Sequence, residues 1–394
     1  MKKNIIFFAY SAVDLMGLYE ALIPKYNVIW VVYHKDVYEY LKKKNIAQVY
    51  LLNISFKILS SNNFFIKLLK FIISLFNLKK INKKFYKDLE NIEKRYNPII
   101  IFTDTGQPLS NYKTKSLKVN TKHSVAYKKY FLDDVNFKYD HVLLPGRYHE
   151  KRIKEFHKIT NSDNRFKVVG NIKLTPYLKN KNFNKKSFLN SLNLNQEKIN
   201  VLFAPSWNAH GRDFFGRYRI LPKSYGDQSE ALIKLAKEIN SLNCNFIIKL
   251  HHLSHFYLKK KVFKNLNNEK SCFVFKSGAY HDVAASNNIL NASDILITDT
   301  SGISTTGIFL KKKIIFLNPT DDKFNWLYSD IEKELRPGFV CDNFNDIIKA
   351  LKVYIENKDP YIDKKEQFIE RVFENPYKDA NIKIAEIIPE ILDF

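Results

Sequence analysis

The stretch from Asn291 to Pro319, NASDILITDTSGISTTGIFLKKKIIFLNP, constrains this chain more than any other. It reads as strand, tight polar turn, short helix and strand. Ile295 to Thr298 is an apolar, β-branched run, Asp299-Thr300-Ser301-Gly302 breaks it, and Ile314 to Leu317 is a second buried strand. A helix starting at Ser301-Gly302 aims its free backbone N–H groups, its dipole and neighbouring hydroxyls at one point above a sheet edge. Such a point suits a phosphate or diphosphate. Ser301 as a plain helix cap is the alternative reading.

Other strand ends favour the phosphate reading. Phe246-Ile-Ile-Lys249-Leu-His251-His252 closes an apolar strand on two histidines, with His255 following. These histidines serve either structure or an anion at the sheet edge; no carboxylate lies near enough in sequence for a metal site. Ala204-Pro205-Ser206-Trp207 ends another strand and is followed by NAHGRDFFGRYRILPKSYGDQ, which suits a lid or acceptor loop or a plain surface loop. Gly170-Asn171, after FKVV, would let the backbone approach a base or ribose, and Arg336-Pro337-Gly338-Phe339 is a turn able to bring a guanidinium to phosphate. His123 follows LKVNTK in the first half, where it would face the others across a cleft, and histidine is suited to removing a proton near neutral pH.

At 394 residues the chain can bury two cores. A formal net charge of +24 favours anionic partners, whether phosphorylated substrates, anionic lipid or nucleic acid. Nucleic acid is not expected, because the aromatics fall in strands and no binding motif is present. Cys244, Cys272 and Cys341 are odd in number and lack metal-ligand spacing, which points to a reducing cytoplasm. Lys2-Lys3-NIIFFAY reads as a first strand, not a signal peptide, and no segment reaches the roughly 20 apolar residues of a membrane span. FFIKLLKFIISLF, Phe64 to Phe76, with KKINKKFYK after it, reads as an interfacial helix on anionic lipid or as a core helix with snorkelling lysines.

Strands and helices alternate along both halves, with strands expected near Asn4, Asn27, Val49, Ile99, Leu117, His141, Phe166, Val201, Phe246, Cys272, Ile295 and Ile314. No internal repeat is evident. The expected fold is α/β, two Rossmann-like doubly wound domains facing across a cleft, with the boundary in Gly146 to Arg165. The division is set at 1–160 for a membrane- and acceptor-side domain and 161–394 for a nucleotide-donor domain closed by C-terminal helices. The chain lacks G-x-x-x-x-G-K-[ST], G-x-G-x-x-G and Asp-x-Asp motifs, so neither cofactor nor metal is expected.

Together these motifs resemble those of the CDP-glycerol glycerophosphotransferase family, the teichoic-acid primases and polymerases and their capsule-synthesis relatives. The likeness runs from about Lys118 to Val340. Val119-Asn-Thr-Lys-His123-Ser124, with Lys128 and Lys129, is similar to the family's Trp-His-Gly region. Ala204-Pro205-Ser206-Trp207 resembles its Ala-Pro-Thr-Trp, Lys249-Leu250-His251 its Lys-x-His-Pro, and Thr298-Asp299-Thr300-Ser301-Gly302 its Thr-Asp-Tyr-Ser-Ser; Pro337-Gly338 matches a closing turn. The chain departs at Ser124 for Gly, at His252 for Pro, at Thr300-Ser301-Gly302, and at Thr305 or Thr306 for a family Asp.

The resemblance implies a GT-B fold, His123 as general base, His251 as a diphosphate ligand, and Thr300, Ser301 and Gly302 as the phosphate-binding turn. Gly170, Asn171, Pro205, Ser206, Trp207, Lys249 and Arg336 complete the expected nucleotide-binding set. The implied enzyme moves a polyol phosphate such as glycerol phosphate from a CDP-activated donor to a hydroxyl of a lipid-linked or glycan acceptor, releasing CMP. It would work on the inner face of the cell membrane, in contact with its anionic surface. The alternative is a GT-B glycosyltransferase or sialyltransferase-like enzyme using a CMP-, CDP- or UDP-sugar in capsule or lipooligosaccharide synthesis.

Overall fold

A computed structural model describes residues 2–52, 84–104, 109–121, 132, 134–159, 163–179, 182–206, 210, 219–250, 254, 260–275, 283–299, 301–318 and 337–392. Two parallel sheets organise them. The first contains β1 (Asn4–Ala9), β2 (Asn27–Val32), β3 (Val49–Leu51), β4 (Ile100–Thr103), β5 (Leu117–Asn120), β6 (His141–Leu144) and β7 (Phe166–Val168), in the order β3-β2-β1-β4-β5-β6-β7. The second contains β8 (Asn200–Phe203), β9 (Asn245–Ile248), β10 (Cys272–Val274), β11 (Ile295–Thr298), β12 (Lys313–Leu317) and β13 (Phe339–Cys341), in the order β10-β9-β8-β11-β12-β13. The central strands are unbroken apolar runs such as NIIFFA and NVLF, buried almost end to end, as a parallel sheet covered by helices on both faces requires. In both sheets the strand order reverses beside the first strand, β1 and β8, which opens a crevice at the carboxyl edge there.

The helices are α1 (Ala12–Leu22), α2 (Lys35–Lys43), α3 (84–96), α4 (Arg147–His157), α5 (Thr175–Lys179), α6 (Lys185–Ser191) and α7 (Gln228–Ser241). They continue with α8 (Lys260–Asn267), α9 (Val283–Ala292), α10 (Gly302–Phe309), α11 (Phe344–Ile355), α12 (Ile362–Val372) and α13 (Ala380–Leu392). α7 shows why such segments are helical. Asp227 caps it by accepting from Ser229 and Glu230 N–H, and Ala231, Leu232, Leu235, Ala236 and Ile239 form one buried stripe. None of the described helices is long and apolar enough to cross a membrane. The Phe64 to Phe76 segment lies outside the described residues.

Three features depart from the sequence expectation. Phe166–Val168, expected to open the second domain, pairs with β6 through Val142↔Phe166, Leu143↔Lys167 and Leu144↔Val168, so the first sheet runs past the 160/161 division. The last helix, α13, also returns to the first domain, where Ile384, Ile388 and Ile391 join Leu15, Leu18 and Leu22 of α1 in one core. β13 is a strand the sequence reading does not include, beginning at Phe339, the last residue of the expected turn; Gly338 is required before it because a Cβ would stand 2.3 Å from the Ile314 carbonyl oxygen.

The domains are joined at two places. α5 and α6 pack on α9, and α12 packs on both α4 and α10, the helices that follow β6 and β11. At the α12 end, Glu374 N–H donates to the Pro145 carbonyl, and Gly146 lies so close that a Cβ would meet the Val372 oxygen at 2.0 Å.

Candidate functional site

The site is built where β8 and β11 end side by side. Ala204 N–H continues the ladder to Ile297 O at 2.9 Å, and the Thr298 hydroxyl returns to Ala204 O at 2.7 Å. One residue on, Asp299 Oδ2 accepts both the Ser206 N–H and the Ser206 hydroxyl, each at 2.8 Å. His210 Nε2 approaches the same oxygen at 3.4 Å, and neither side chain has any exposure. Asp299 Oδ1 is buried without a hydrogen-bond partner, as are both His210 ring nitrogens. Bonds to a buried carboxylate are charge-assisted and hold their donors firmly, so Asp299 ties the Ala204–Ser206 turn to the start of the next helix.

That helix is α10. Ser301 stands before it in an extended conformation and makes no side-chain cap bond. The Ser304 N–H and hydroxyl both turn back to Ser301 O. Ser301, Gly302 and Ile303 are partly exposed, whereas Ser304 to Phe309 are buried. Only the first turn of α10 is therefore open to a ligand, with a helix dipole behind it and no side chain on Gly302 to obstruct approach. The Gly307 position explains how α10 lies so flat on the sheet: a Cβ there would reach Leu296 Cδ2 at 2.7 Å. Lys249 follows β9 at the same edge, its N–H bonded to Phe203 O at 2.9 Å and its side chain half-buried.

The structure thus brings Pro205, Ser206, Lys249, Ser301 and Gly302 together on one sheet edge. It puts Gly170 and Asn171 elsewhere. Gly170 has φ +96° at the end of β7, in the first domain, and a Cβ there would press on Ala380 Cβ at 3.2 Å and Glu374 O at 3.3 Å. The close approach this glycine permits is to the chain's own C-terminal segment. Asn171 is buried and its side-chain oxygen accepts from Lys173 N–H at 3.0 Å, capping the turn at Ile172–Leu174. Thr305 and Thr306 are buried within α10. His123, Trp207, His251, Thr300 and Arg336 lie outside the described residues.

Sequence reading missed His210 as a member of this cluster. Its only signal is its place four residues beyond Ser206, in a run also rich in Arg, Gly and aromatics. The end of that run is structural: Arg219 is buried and donates to Leu221 O at 3.2 Å and Pro222 O at 3.3 Å, and Ile220 N–H donates to Gln228 Oε1 at 3.1 Å. Also missed was an echo of the site in the first domain. Asp104, fully buried after β4, accepts Tyr10 N–H at 2.8 Å on one oxygen and Ser11 N–H at 2.7 Å on the other. At the opposite edge Asn27 Nδ2 donates to Asn4 Oδ1 at 2.6 Å, and in the second domain Asn245 Nδ2 donates to Asn200 Oδ1 at 2.8 Å.

Comparison with known proteins bears on the family and the fold. The chain is 25% identical over 272 residues to the teichoic acid poly(glycerol phosphate) polymerase of Bacillus spizizenii, covering 66% of this chain and 62% of that protein. It is 25% identical over 201 residues to the teichoic acid glycerol-phosphate transferase of Staphylococcus aureus, covering 50% of this chain and 46% of that protein. The chain therefore spans less than two thirds of the length of either relative. In structure it resembles the wall teichoic acid polymerase TagF, with TM-score 0.60, 17% identity, and 99% of this chain and 89% of that chain covered. It also resembles a UDP-GlcNAc 2-epimerase from Neisseria meningitidis, with TM-score 0.66 and 15% identity over 100% of both chains. These likenesses give the GT-B fold of two Rossmann-like domains. The family model described as CDP-Glycerol:Poly(glycerophosphate) glycerophosphotransferase matches residues 2–389, and the chain belongs to that family.

Proposed function

We propose that this chain transfers glycerol phosphate from CDP-glycerol to a hydroxyl of a lipid-linked or glycan acceptor in cell-surface polymer synthesis, releasing CMP. The observation that carries this reading is the open first turn of α10 beside the buried Asp299–Ser206 lock, in a chain whose family is defined by that donor. The acceptor oxygen attacks the phosphorus of the glycerol phosphate. A new P–O bond forms, the P–O bond to CMP breaks, and the acceptor proton passes to His123. The N–H groups at Ser301 and Gly302, with His251 and Lys249, hold the negative charge that collects on the departing CMP. Preorganised donors of this kind need no reorientation as the charge develops, which is why rigid anchoring of the turn matters.

The UDP-GlcNAc 2-epimerase likeness keeps a nucleotide-sugar donor as the second reading. A thermal-shift panel separates the two, because a ligand that binds the native state raises its melting temperature. CDP-glycerol should stabilise the protein most, and incubation with an acceptor should release CMP while adding a phosphodiester signal in ³¹P NMR. Stabilisation by a UDP-sugar or CMP-sialic acid but not by CDP-glycerol would favour the second reading.

A lipid-linked acceptor requires the enzyme to dwell at the cytoplasmic membrane face, and the lysines that follow Phe64 to Phe76 suit anionic lipid, each contributing about 1 kcal/mol near such a surface. Replacing Lys79, Lys80, Lys83 and Lys84 with Glu should release the protein from anionic vesicles in co-sedimentation. Equal sedimentation of variant and wild type would assign the segment to the core.

A further inference from the structure

We infer that the groove between α4 and α12 holds a polyanionic acceptor chain, the string of glycerol phosphates that repeated transfer would build; the inference rests on the reaction proposed above. The groove encloses about 880 Å³ and is lined by five cations, Arg147, Lys151, Lys154, Lys158 and Arg371, against two carboxylates. The four cations of α4 stand at intervals of four, three and four residues, so they fall on one helix face and form a row. Neighbours in that row are separated along the axis by roughly one helical turn, about 5.4 Å. In a glycerol phosphate chain three carbons and two oxygens separate successive phosphorus atoms, a comparable span, so one row can meet several charges of one chain. The carboxylates leave most of this charge available. Lys154 is held against the groove wall by Glu150 at 2.7 Å, both side chains largely covered. Lys151 meets Glu155 only at 3.8 Å and Arg147 meets Glu374 at 3.5 Å, with the lysine 73% and the arginine 80% exposed; such solvent-exposed pairs contribute little and yield to a phosphate. Lys158, the C-terminal cap of α4, has no acidic partner among the described residues. The row also has a direction. α4 leaves β6 at the carboxyl edge of the first sheet and runs back toward the amino edge, where β7 begins. Arg147 is therefore its end nearest the cleft, and α12, which supplies Arg371, packs on α10, whose first turn is the proposed donor site. An acceptor chain with its free end at the point of transfer would run outward along α4. A concave groove suits a single chain and not a flat bilayer.

The test is steady-state kinetics of the full chain with CDP-glycerol and two water-soluble synthetic acceptors, one bearing a single glycerol phosphate and one bearing a chain of several. Wild type should show the lower KM for the chain, and added salt should narrow the gap. Lys151→Glu with Lys158→Glu should raise KM for the chain about ten-fold, while KM for the single unit and for CDP-glycerol stays at the wild-type level. Glu155→Gln, which removes a carboxylate from the same wall, should lower KM for the chain. Lys349→Glu with Lys352→Glu makes the same change in net charge on α11, which covers the other face of the second sheet, and should change neither acceptor KM. Should the α4 pair fail to fold, Lys151→Gln with Lys158→Gln decides, through a smaller rise in the same direction. The inference is overturned if the α4 variants use the chain as wild type does, if both acceptors lose equally, or if the α11 pair has the same effect. Loss of binding to phosphatidylglycerol vesicles by the α4 pair, with KM for the chain unchanged, would assign the row to the membrane and overturn it too. Wild type that transfers glycerol phosphate to neither acceptor would instead remove the proposed reaction, and this inference with it.

Discussion

The two domains solve the same structural problem with the same residues and end up with different chemistry. In each, a Thr-Asp pair closes the strand next to the domain's first strand, and the aspartate captures the backbone where that first strand turns away. Ser11 and Asp104 are 93 residues apart, and so are Ser206 and Asp299. In the first domain each oxygen of Asp104 takes one backbone N–H, so both oxygens are engaged by the chain. In the second, a single oxygen of Asp299 takes both Ser206 bonds, the other has no partner, and a histidine lies against the pair. An anchor with both oxygens bound to the backbone serves to hold its turn. An anchor that keeps one oxygen without a partner, beside a buried histidine, leaves room for a further contact.

The largest expected effect tests the division of labour between the domains. His123→Ala should lower turnover by about 10² to 10⁴ while CMP affinity stays at the wild-type level, since the proposed mechanism takes its base from the first domain and its nucleotide site from the second. Turnover within a few-fold of wild type would leave the first domain without a chemical role at His123.

Next comes the contrast between the two aspartates. Asparagine has only one acceptor oxygen, so Asp104→Asn strands one buried N–H against an amide donor and should cost about 2–3 kcal/mol in urea denaturation. Asp299→Asn keeps the one oxygen that Ser206 needs and should cost under about 1 kcal/mol. Equal losses would show that the two anchors are equivalent. A smaller effect is expected of Ser301→Ala, which should weaken CMP by about three- to ten-fold through loss of one hydroxyl at the open turn; unchanged affinity would leave the backbone as the whole site. The smallest expected effect is none: activity should survive EDTA, as the proposed mechanism meets the charge on CMP with the α10 turn and basic side chains. Loss restored by Mg²⁺ would show that the second domain's turn works through a cation instead.

Strand and helix positions were legible where apolar runs are long and ends are marked. β11 at Ile295–Thr298 and α7 at Gln228–Ser241 match the sequence reading to the residue, since Asp299 and Asp227 punctuate them. β13 was not legible, because three residues after Pro337-Gly338 show no period. The partner of β7 was also hidden: FKV states that it is a strand, but which sheet it joins depends on contacts with β6 that no local pattern encodes. For the candidate site, the common edge of Ser206, Lys249, Ser301 and Gly302 was readable because strand ends share an edge in this fold. Gly170 misled, since a glycine permits close approach without saying to what. The echo between the domains escaped notice because it rests on a few polar residues, Asn4, Asn27, Asp104 and their counterparts, set in apolar strands of unrelated sequence.

The return of α13 to the first domain has a consequence for how the protein is made. Ile5, Phe7 and Trp30 emerge early in synthesis, but the core they enter is sealed by Ile384, Ile388 and Ile391. Until translation has passed those residues, the face of α1 carrying Leu15, Leu18 and Leu22 lacks the part of its cover that α13 supplies, and the second domain, whose strands run from Asn200 to Cys341, can complete its sheet first. The first domain's core is thus completed only by the end of the chain, which departs from the usual order in which the N-terminal domain settles before the next appears.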